Sequence, residues 1–479
     1  MRRRMRLAAG ILAVAAFGSA CGHPAGTTPA PTARRPNFVV IVADDMAYGL
    51  VGAGRRFPFL ALPNLERLAA QGVQFDRAFV TTSLCSPSRA TLLSGLYAHS
   101  HKVLVNETVD LAAATPTYPQ ILQGAGYDTA FVGKWHMDAR TDMPRPGFDY
   151  WLSFRGQGVY DDPVLNENGR TVSRTGYITD LLTEYAVDWL RQRARQPFLL
   201  VLSHKAPHAP CEPAPRHATA FAGAELPEPP SFVDTFAGKP AWQRRYVRCG
   251  GTPGALTQCP DPQPDEIPPW PWPARDSNRL DYLRTLLALD DSVGSMLAAL
   301  EAQGLAASTY VFFLSDNGLF LGEHRLGDKR LAYEESLRVP FLVAGGSVPA
   351  GRSNVTALNL DLAPTILDLA GLKVPASMQG RSLGPVLRGE TPPSRDSFLY
   401  EYQTDSTYPV VPSMLAIRTP RWKYVTYPDG GPEELYDLDH DPGEMWDLAS
   451  SAEWDETRAE LRRELDELLR STGARPREP

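Results

Sequence analysis

Consecutive apolar positions, rather than alternating ones, set the pattern of this chain. Asn37–Ala43, Val73–Val80, Asp128–Val132, Pro197–Ser203 and Thr309–Leu314 are short and largely apolar at successive residues. A strand of that kind is buried on both faces, which is the condition of a parallel sheet covered by helices. Between these runs, residues 62–72, 116–126, 177–191, 280–300 and 360–370 carry helical spacing, so the pattern predicts an α/β architecture. Beyond residue 395 the pattern changes. Short extended stretches lead to strands at 422–425 and 434–438 around the turn Pro428-Asp429-Gly430-Gly431. An amphipathic helix at 460–469 follows, with Leu461, Leu465, Leu468 and Leu469 on one face. No internal repeat is visible.

The first 35 residues fit neither pattern. Met1 to Arg6 is basic and Leu7 to Ala20 is apolar but short for a bilayer, so residues 1–21 read as an export signal. Gly18-Ser19-Ala20 before Cys21 resembles a bacterial lipoprotein cleavage box, with Gly18 where a leucine-like residue is usual. The expectation is an exported protein: a cell-envelope lipoprotein anchored through Cys21, or a secreted one. Residues 22–35, rich in Pro, Ala and Thr, read as a tether. The 479 residues are 43% hydrophobic and 22% charged, enough for a large globular core. A formal charge of −7 argues against nucleic acid as a partner, so any affinity for anions must be local. Besides Cys21 and Cys85 there are Cys211, Cys249 and Cys259. Cys249–Cys259 is the nearest pair for a disulfide, with Cys211 able to compete for either partner.

Polar residues gather where the apolar runs end. Asp44-Asp45 follows the first run and Asp316-Asn317 the last. Ligands of open α/β sheets bind at carboxyl ends of strands, and oxygen-only donors select a hard cation, Ca²⁺ or Mg²⁺. Each pair alone is an ordinary turn. Gly133-Lys134-Trp135-His136 ends the third run, and in an extended segment Lys134 and His136 would project to one side. His204 to Pro210 ends the fourth, with His208 in a Pro-His-x-Pro turn. Cys85-Ser86-Pro87-Ser88-Arg89 opens an apolar stretch that closes at Gly95. Pro87 suits a first helical turn, so Cys85 is expected at a helix N-terminus, where unpaired N–H groups favour an anion. Arg89 adds a guanidinium one turn on.

Cys-x-Pro-Ser-Arg followed by Leu-Ser-Gly resembles the signature of the type I sulfatases, formylglycine-dependent enzymes of the alkaline-phosphatase-like superfamily. The other motifs occur in that family's order, from the acidic pair to Lys329 and the run Tyr333 to Pro340. The resemblance implies a large mixed, mostly parallel sheet sandwiched by helices, with a smaller C-terminal α+β domain carrying an antiparallel sheet. Domain boundaries of 36–390 and 391–479 are expected. It implies that Cys85 is oxidised to formylglycine by a formylglycine-generating enzyme. Asp44, Asp45, Asp316 and Asn317, with position 85, would hold Ca²⁺, Mg²⁺ being the alternative. Arg89, Lys134, His208 and Lys329 would surround a sulfate, and His136 would act as a base. Asn317, where related phosphatases tend to carry histidine, favours sulfate over phosphate.

Flanking residues, notably Leu84 to Arg89 with His101 and Asn106, and Asp328-Lys329-Arg330, look most like the N-acetylglucosamine-6-sulfatase branch. Gly-Lys-Trp-His is closer to generic arylsulfatases. The expected substrate is a sulfated carbohydrate, with an aryl sulfate, a phosphonate or phosphate ester, or non-catalytic glycan binding as alternatives. Residues 211–276, rich in Pro and Trp, are either a wall of the substrate mouth, with Trp270 or Trp272 stacking on a ring, or a Pro-stiffened surface loop.

Overall fold

A computed structural model describes residues 35–52, 55–106, 109–193, 197–249 and 276–474. Asn37–Ala43 runs through the middle of a ten-stranded sheet. On one side lie Thr309–Ser315, Phe341–Gly345, Gly72–Phe75 and the edge strand Gly351–Ser353. On the other lie Phe198–Ser203, Asp128–Lys134, Tyr150–Phe154, Val164–Glu167 and Arg170–Ser173. The five strands from Thr309–Ser315 to Tyr150–Phe154 are mutually parallel, so their carboxyl ends share one edge.

The unbroken apolar runs have their explanation here. In the central strand Val39, Ile41 and Ala43 face one core, and Phe38, Val40 and Val42 face the other. The first core is closed by Pro63–Ala70, Ile178–Arg193 and Asp276–Ala302, the second by Cys85–Ser94, Tyr118–Gly124 and Leu362–Leu369. Among the described residues no helix is long and apolar enough to cross a membrane.

Phe398–Tyr402, Met414–Arg418, Trp422–Thr426 and Glu434–Asp437 form a separate antiparallel sheet. The helix Asp455–Thr472 buries Leu461, Leu465 and Leu469, while Leu468, expected on the same face, is only half-buried. The apolar core of this sheet includes Phe79, Leu84 and Tyr97, residues on either side of Cys85.

Two expectations are corrected. The run 73–80 is not one strand. Asp76 and Arg77 interrupt it, so Gly72–Phe75 joins the large sheet while Ala78–Phe79 pairs with Ala357–Leu358. Residues 360–370 split into a 3-10 turn, Asn359–Asp361, and the helix Leu362–Leu369. The described part of 211–276 forms 3-10 turns and the helix Ala241–Cys249. Trp270, Trp272 and Cys259 lie outside the described residues, and so does the side chain of Cys249. Cys211 is a free thiol whose Sγ donates to the Pro207 carbonyl at 3.2 Å.

One contact ties the C-terminal helix to the large sheet's side of the protein. His99 Nδ1 meets Glu401 Oε2 at 3.0 Å, and its Nε2 meets the Thr472 carbonyl at 3.0 Å. Both partners accept, so the ring must donate from both nitrogens and carry a charge. Burial opposes that charge, but the Glu401 carboxylate outweighs it and raises the histidine pKa. Stability from this clamp is therefore full below the ordinary histidine value and is lost as pH rises through the raised one. The expected result is that His99→Gln costs about 1 kcal/mol in denaturant unfolding at pH 6 and less at pH 9. A pH-independent difference would contradict the charged form.

Candidate active site

The sheet register assembles the site. Ala43 pairs with Ser315 and Val42 with Ser203, so Asp44-Asp45, Asp316-Asn317 and His204-Lys205 emerge side by side. Gly133 also pairs with Ser203, which brings Lys134 alongside. Gly133 has φ +120°, and a Cβ there would sit 1.8 Å from the Ser203 carbonyl oxygen, so only glycine allows this approach. Asp45 takes the left-handed conformation, φ +67°, turning the second carboxylate back over the strand tip.

Cys85 is the first residue of its helix, after an extended Leu84. The helix ends at Gly95, φ +66°, whose carbonyl accepts from Gln379 N at 2.8 Å and Gly380 N at 3.2 Å. Its start is tied to the strand tips. Ser86 N donates to Asn106 Oδ1 and Ser86 Oγ to the His136 carbonyl, each at 2.8 Å. Ser88 Oγ donates to the Asp316 carbonyl and accepts from Asn359 Nδ2.

Three buried carboxylates, Asp44, Asp45 and Asp316, meet three buried cations. Lys134 Nζ pairs with Asp44, and Lys329 Nζ with Asp45. Arg89 Nε donates to Asp316 Oδ2 at 2.9 Å. Cys85 Sγ stands among them, 3.0 Å from Lys329 Nζ and 3.6 Å from Asp44 Oδ1. Burial opposes ionisation of Asp44 and Asp45, yet Lys134 for the one and Lys329 for the other hold them below the usual carboxylate range. Asp316 goes the other way: burial pushes it up to about 7, despite Arg89. Burial also pushes the Cys85 thiol up to about 12, against the pull of Lys329 and Lys134. A neutral thiol is a weak nucleophile.

The cluster could hold a metal ion. Ligand atoms of Asp44, Asp45, Cys85 and His208 lie within 4.8 Å of one another. Asn317 Nδ2 donates to Asp45 Oδ1 at 2.5 Å and to the Gly318 carbonyl at 3.0 Å. That leaves Asn317 Oδ1 buried and unpartnered among the described residues, a donor oxygen beside two carboxylates.

Both histidines are neutral. His208 Nδ1 donates to the Ala209 carbonyl at 2.5 Å, which turns Nε2 toward Asp45 Oδ2 at 3.7 Å. Burial and then Lys134 depress its pKa to about 3. His136 is lowered by the same two causes, and its Nδ1 is buried without a partner among the described residues. Its backbone corrects the expectation of an extended Lys134-to-His136 segment. The strand ends at Lys134 and His136 is left-handed, φ +63°.

Every residue singled out for the site reaches this cluster; Arg89 bonds Asp316 through Nε, and the Lys134 carbonyl at 2.7 Å and Ser203 Oγ at 2.6 Å through Nη1, while its Nη2 is buried without a hydrogen-bond partner among the described residues. Sequence reading missed Gln157, whose Oε1 accepts from Lys134 Nζ, and Tyr282, which bridges Asp45 O and Ala47 N. Neither lies in a motif. It also left Lys205 unassigned. That side chain is buried with Nζ 4.7 Å from the Tyr160 ring centre, and burial, then Lys134, lowers its pKa to about 8.

This α/β fold, with a cysteine at a helix start beside an acidic cluster, matches a known family. Residues 36–372 match the family model described as Sulfatase, and the chain belongs to that family and is an enzyme of its kind. Residues 322–471 match a second model, N-sulphoglucosamine sulphohydrolase, C-terminal. The chain is 32% identical to an N-acetylglucosamine-6-O-sulfatase of Bacteroides thetaiotaomicron, over 92% of this chain and 86% of that one. It is also 32% identical to the human N-acetylglucosamine-6-sulfatase, over 80% and 70%. A solved structure of a protein in complex with its substrate D-glucosamine-2-N,6-O-disulfate superposes with TM-score 0.80 at 30% identity, covering 92% of this chain and 98% of that one.

Proposed function

We propose that this sulfatase hydrolyses sulfate monoesters of sulfated sugars, N-acetylglucosamine 6-sulfate foremost. The observation that carries the reading is the meeting of Cys85 Sγ, Lys329 Nζ and the Asp44, Asp45, Asp316 and Asn317 oxygens at one strand edge. The names of its relatives support the sugar.

Asp44, Asp45, Asp316 and Asn317 would hold the cation, Ca²⁺ in preference to Mg²⁺, which supplies charge opposite the sulfate oxygens. Oxidation of Cys85 to formylglycine supplies a hydrated aldehyde, one hydroxyl to take the sulfuryl group and a second to release it. Lys134 and Lys329 flank the sulfate and offset the charge that grows on its oxygens. Arg89 positions Asp316. His208 Nδ1 is committed to Ala209, so its Nε2 arrives without a proton. Lys329 keeps its protons, because Asp45 outweighs burial and raises it, so Lys329 protonates the departing sugar oxygen and is restored by the proton that the attacking hydroxyl gives up. His136, neutral with an unpartnered Nδ1, takes the proton of the second hydroxyl. The catalytic residues lie in a domain spanning 36–390, followed by a subdomain at 391–479. Maturation would need a formylglycine-generating enzyme, and export would follow from residues 1–21, with Cys21 as lipid anchor.

The test compares 6-sulfated N-acetylglucosamine with a simple aryl sulfate and matched phosphate esters. The sugar sulfate should show the highest kcat/KM, and preference for a phosphate ester would overturn the reading. Arg330 offers a finer check. It is buried next to Lys329 in sequence, ion-paired to Asp328 and to Asp405, the latter at 3.3 Å, and lies 3.6 Å over the Tyr408 ring. Arg330→Ala is expected to raise KM about tenfold for the sugar and far less for the aryl sulfate.

A further inference from the structure

The loop that brings Lys329 to Cys85 runs against its own backbone preferences. His324, Arg325, Asp328 and Arg330 are left-handed, with φ +50°, +57°, +71° and +84°, and Gly322 joins them at +107°. A residue with a Cβ adopts this conformation at a cost, so the loop keeps its shape only where other groups hold it. Its own bonds make it stiff. Phe320 N donates to the Asp328 carbonyl at 2.9 Å and Gly322 N to the Leu326 carbonyl at 3.0 Å. The tip at 322–326 is thereby coupled to the residue before Lys329, whose Nζ lies 3.0 Å from Cys85 Sγ.

The groups that hold the tip come from the Pro-rich stretch 211–276. Its 3-10 turn Pro230–Val233 accepts a bond from Arg325 Nε, at 3.0 Å, on the Phe232 carbonyl. Asp234 follows the turn. Its Oδ2 accepts from His324 Nδ1 at 2.6 Å and from Lys239 Nζ at 2.5 Å, and its Oδ1 from Phe236 N at 2.7 Å. Lys239 donates in turn to the Glu444 carbonyl at 2.6 Å, which anchors the group to the C-terminal part of the chain. Asp234 and His324 are both buried, and the imidazole stacks on Tyr333 with ring centres 4.3 Å apart. Burial lowers the His324 pKa to about 4, so the neutral ring carries its one proton on Nδ1, toward Asp234. Its Nε2 has no hydrogen-bond partner among the described residues. None of the steps assigned to Cys85, Lys329 and His136 uses this histidine–carboxylate pair.

We propose that Asp234 is a positioning residue for Lys329: by holding His324 it fixes the left-handed loop, and with it the place of the ammonium. This deepens the reading above and rests on Lys329 as the acid. Misplacing a catalytic group by about 1 Å costs on the order of a hundredfold in rate. The loss should follow the leaving group, because a sugar oxygen needs the proton while a nitrophenolate departs without it.

The test uses matured full-length enzyme and three esters graded by leaving group: 4-nitrophenyl sulfate, phenyl sulfate and 6-sulfated N-acetylglucosamine. Glycine and asparagine both tolerate the backbone of position 324. His324→Gly removes the tether, while His324→Asn returns an N–H near the place of Nδ1. His324→Gly should lower kcat about a hundredfold on the sugar sulfate and less than about tenfold on 4-nitrophenyl sulfate, with KM little changed. His324→Asn should recover at least about tenfold of the sugar loss. Asp234→Ala, which removes the acceptor instead, should repeat the glycine pattern and carries the same test if the glycine variant does not fold. In a Lys329→Ala background either substitution should cost nothing further.

Full activity of His324→Gly, no rescue by asparagine, or a further loss in the Lys329→Ala background would overturn the positioning role. The acid itself is judged separately. If Lys329→Ala lowers all three esters equally, the acid reading falls, and a null effect of His324→Gly in that background still ties His324 to Lys329. If the sugar sulfate is not hydrolysed, the substrate reading falls and the two aryl esters carry both comparisons.

Discussion

Replacing Cys85 with serine or alanine is expected to lower multiple turnover by on the order of 10⁴-fold or more while leaving the fold intact. The side chain is fully buried, but it is small, and its bonding is limited to Lys329 Nζ and Asp44. Serine fits the same space, and the ties that hold the helix start, through Ser86 and Ser88, do not pass through the sulfur. Thermal unfolding should therefore shift by only a few degrees. The chemistry is different. A serine hydroxyl can accept a sulfuryl group but carries no second hydroxyl, so His136 has no proton to remove and the ester stays on the protein. The Cys85→Ser enzyme should stop after one turnover, with its peptide heavier by the trapped group. The Cys85→Ala enzyme should form no adduct. In the active wild-type enzyme the same peptide should be lighter than the cysteine form, because an aldehyde has replaced the thiol. Near-wild-type turnover by either variant would break this account, as would an active enzyme whose position 85 is still cysteine.

The large sheet was legible because its central strands are buried on both faces, and that leaves an unmistakable trace in 37–43 and 309–315. The acidic tips were legible for a related reason: a carboxylate directly after such a run must lie at the edge where parallel strands end. What the residues alone did not show is which partner each charged group finds. Arg89 reads as an anion contact, and nothing local announces that Asp316, from a strand more than two hundred positions away, accepts from its Nε while Nη2 has no hydrogen-bond partner among the described residues. The left-handed turn at His136, whose carbonyl accepts from Ser86 Oγ, is equally invisible in Gly-Lys-Trp-His. Gln157 meets Lys134 through tertiary packing, with no local pattern to announce it. The break at Asp76 was the one local signal available and overlooked: two charged residues inside an apolar run.

Removing divalent ions is expected to cost activity heavily, though less than losing the nucleophile, and by a route that spares the fold. Asp44, Asp45 and Asp316 would repel one another strongly if left bare in a dry site. Here each has a cation from the chain itself, Lys134, Lys329 and Arg89. These pairs can neutralise the cluster without an ion, so chelation should not unfold the protein. They also show why activity would go. A lysine drawn fully onto Asp44 or Asp45 is no longer directed at the sulfate, and the positive charge opposite the sulfuryl oxygens falls. Chelator should therefore reduce kcat by on the order of 10³-fold, with Tm falling by a few degrees. Ca²⁺ should restore the rate better than Mg²⁺, because a set mixing carboxylates with the amide oxygen of Asn317 suits the more flexible coordination of the larger ion. Asn317→Leu removes that oxygen and should raise the Ca²⁺ needed for half-activity at least about tenfold. Asp45→Asn should do the same and, by leaving the Lys329 ammonium without its anion, also destabilise the protein by ~3 kcal/mol. Metal-stripped enzyme with full activity, or Asn317→Leu with an unchanged Ca²⁺ requirement, would mean that these four oxygens do not serve the cation.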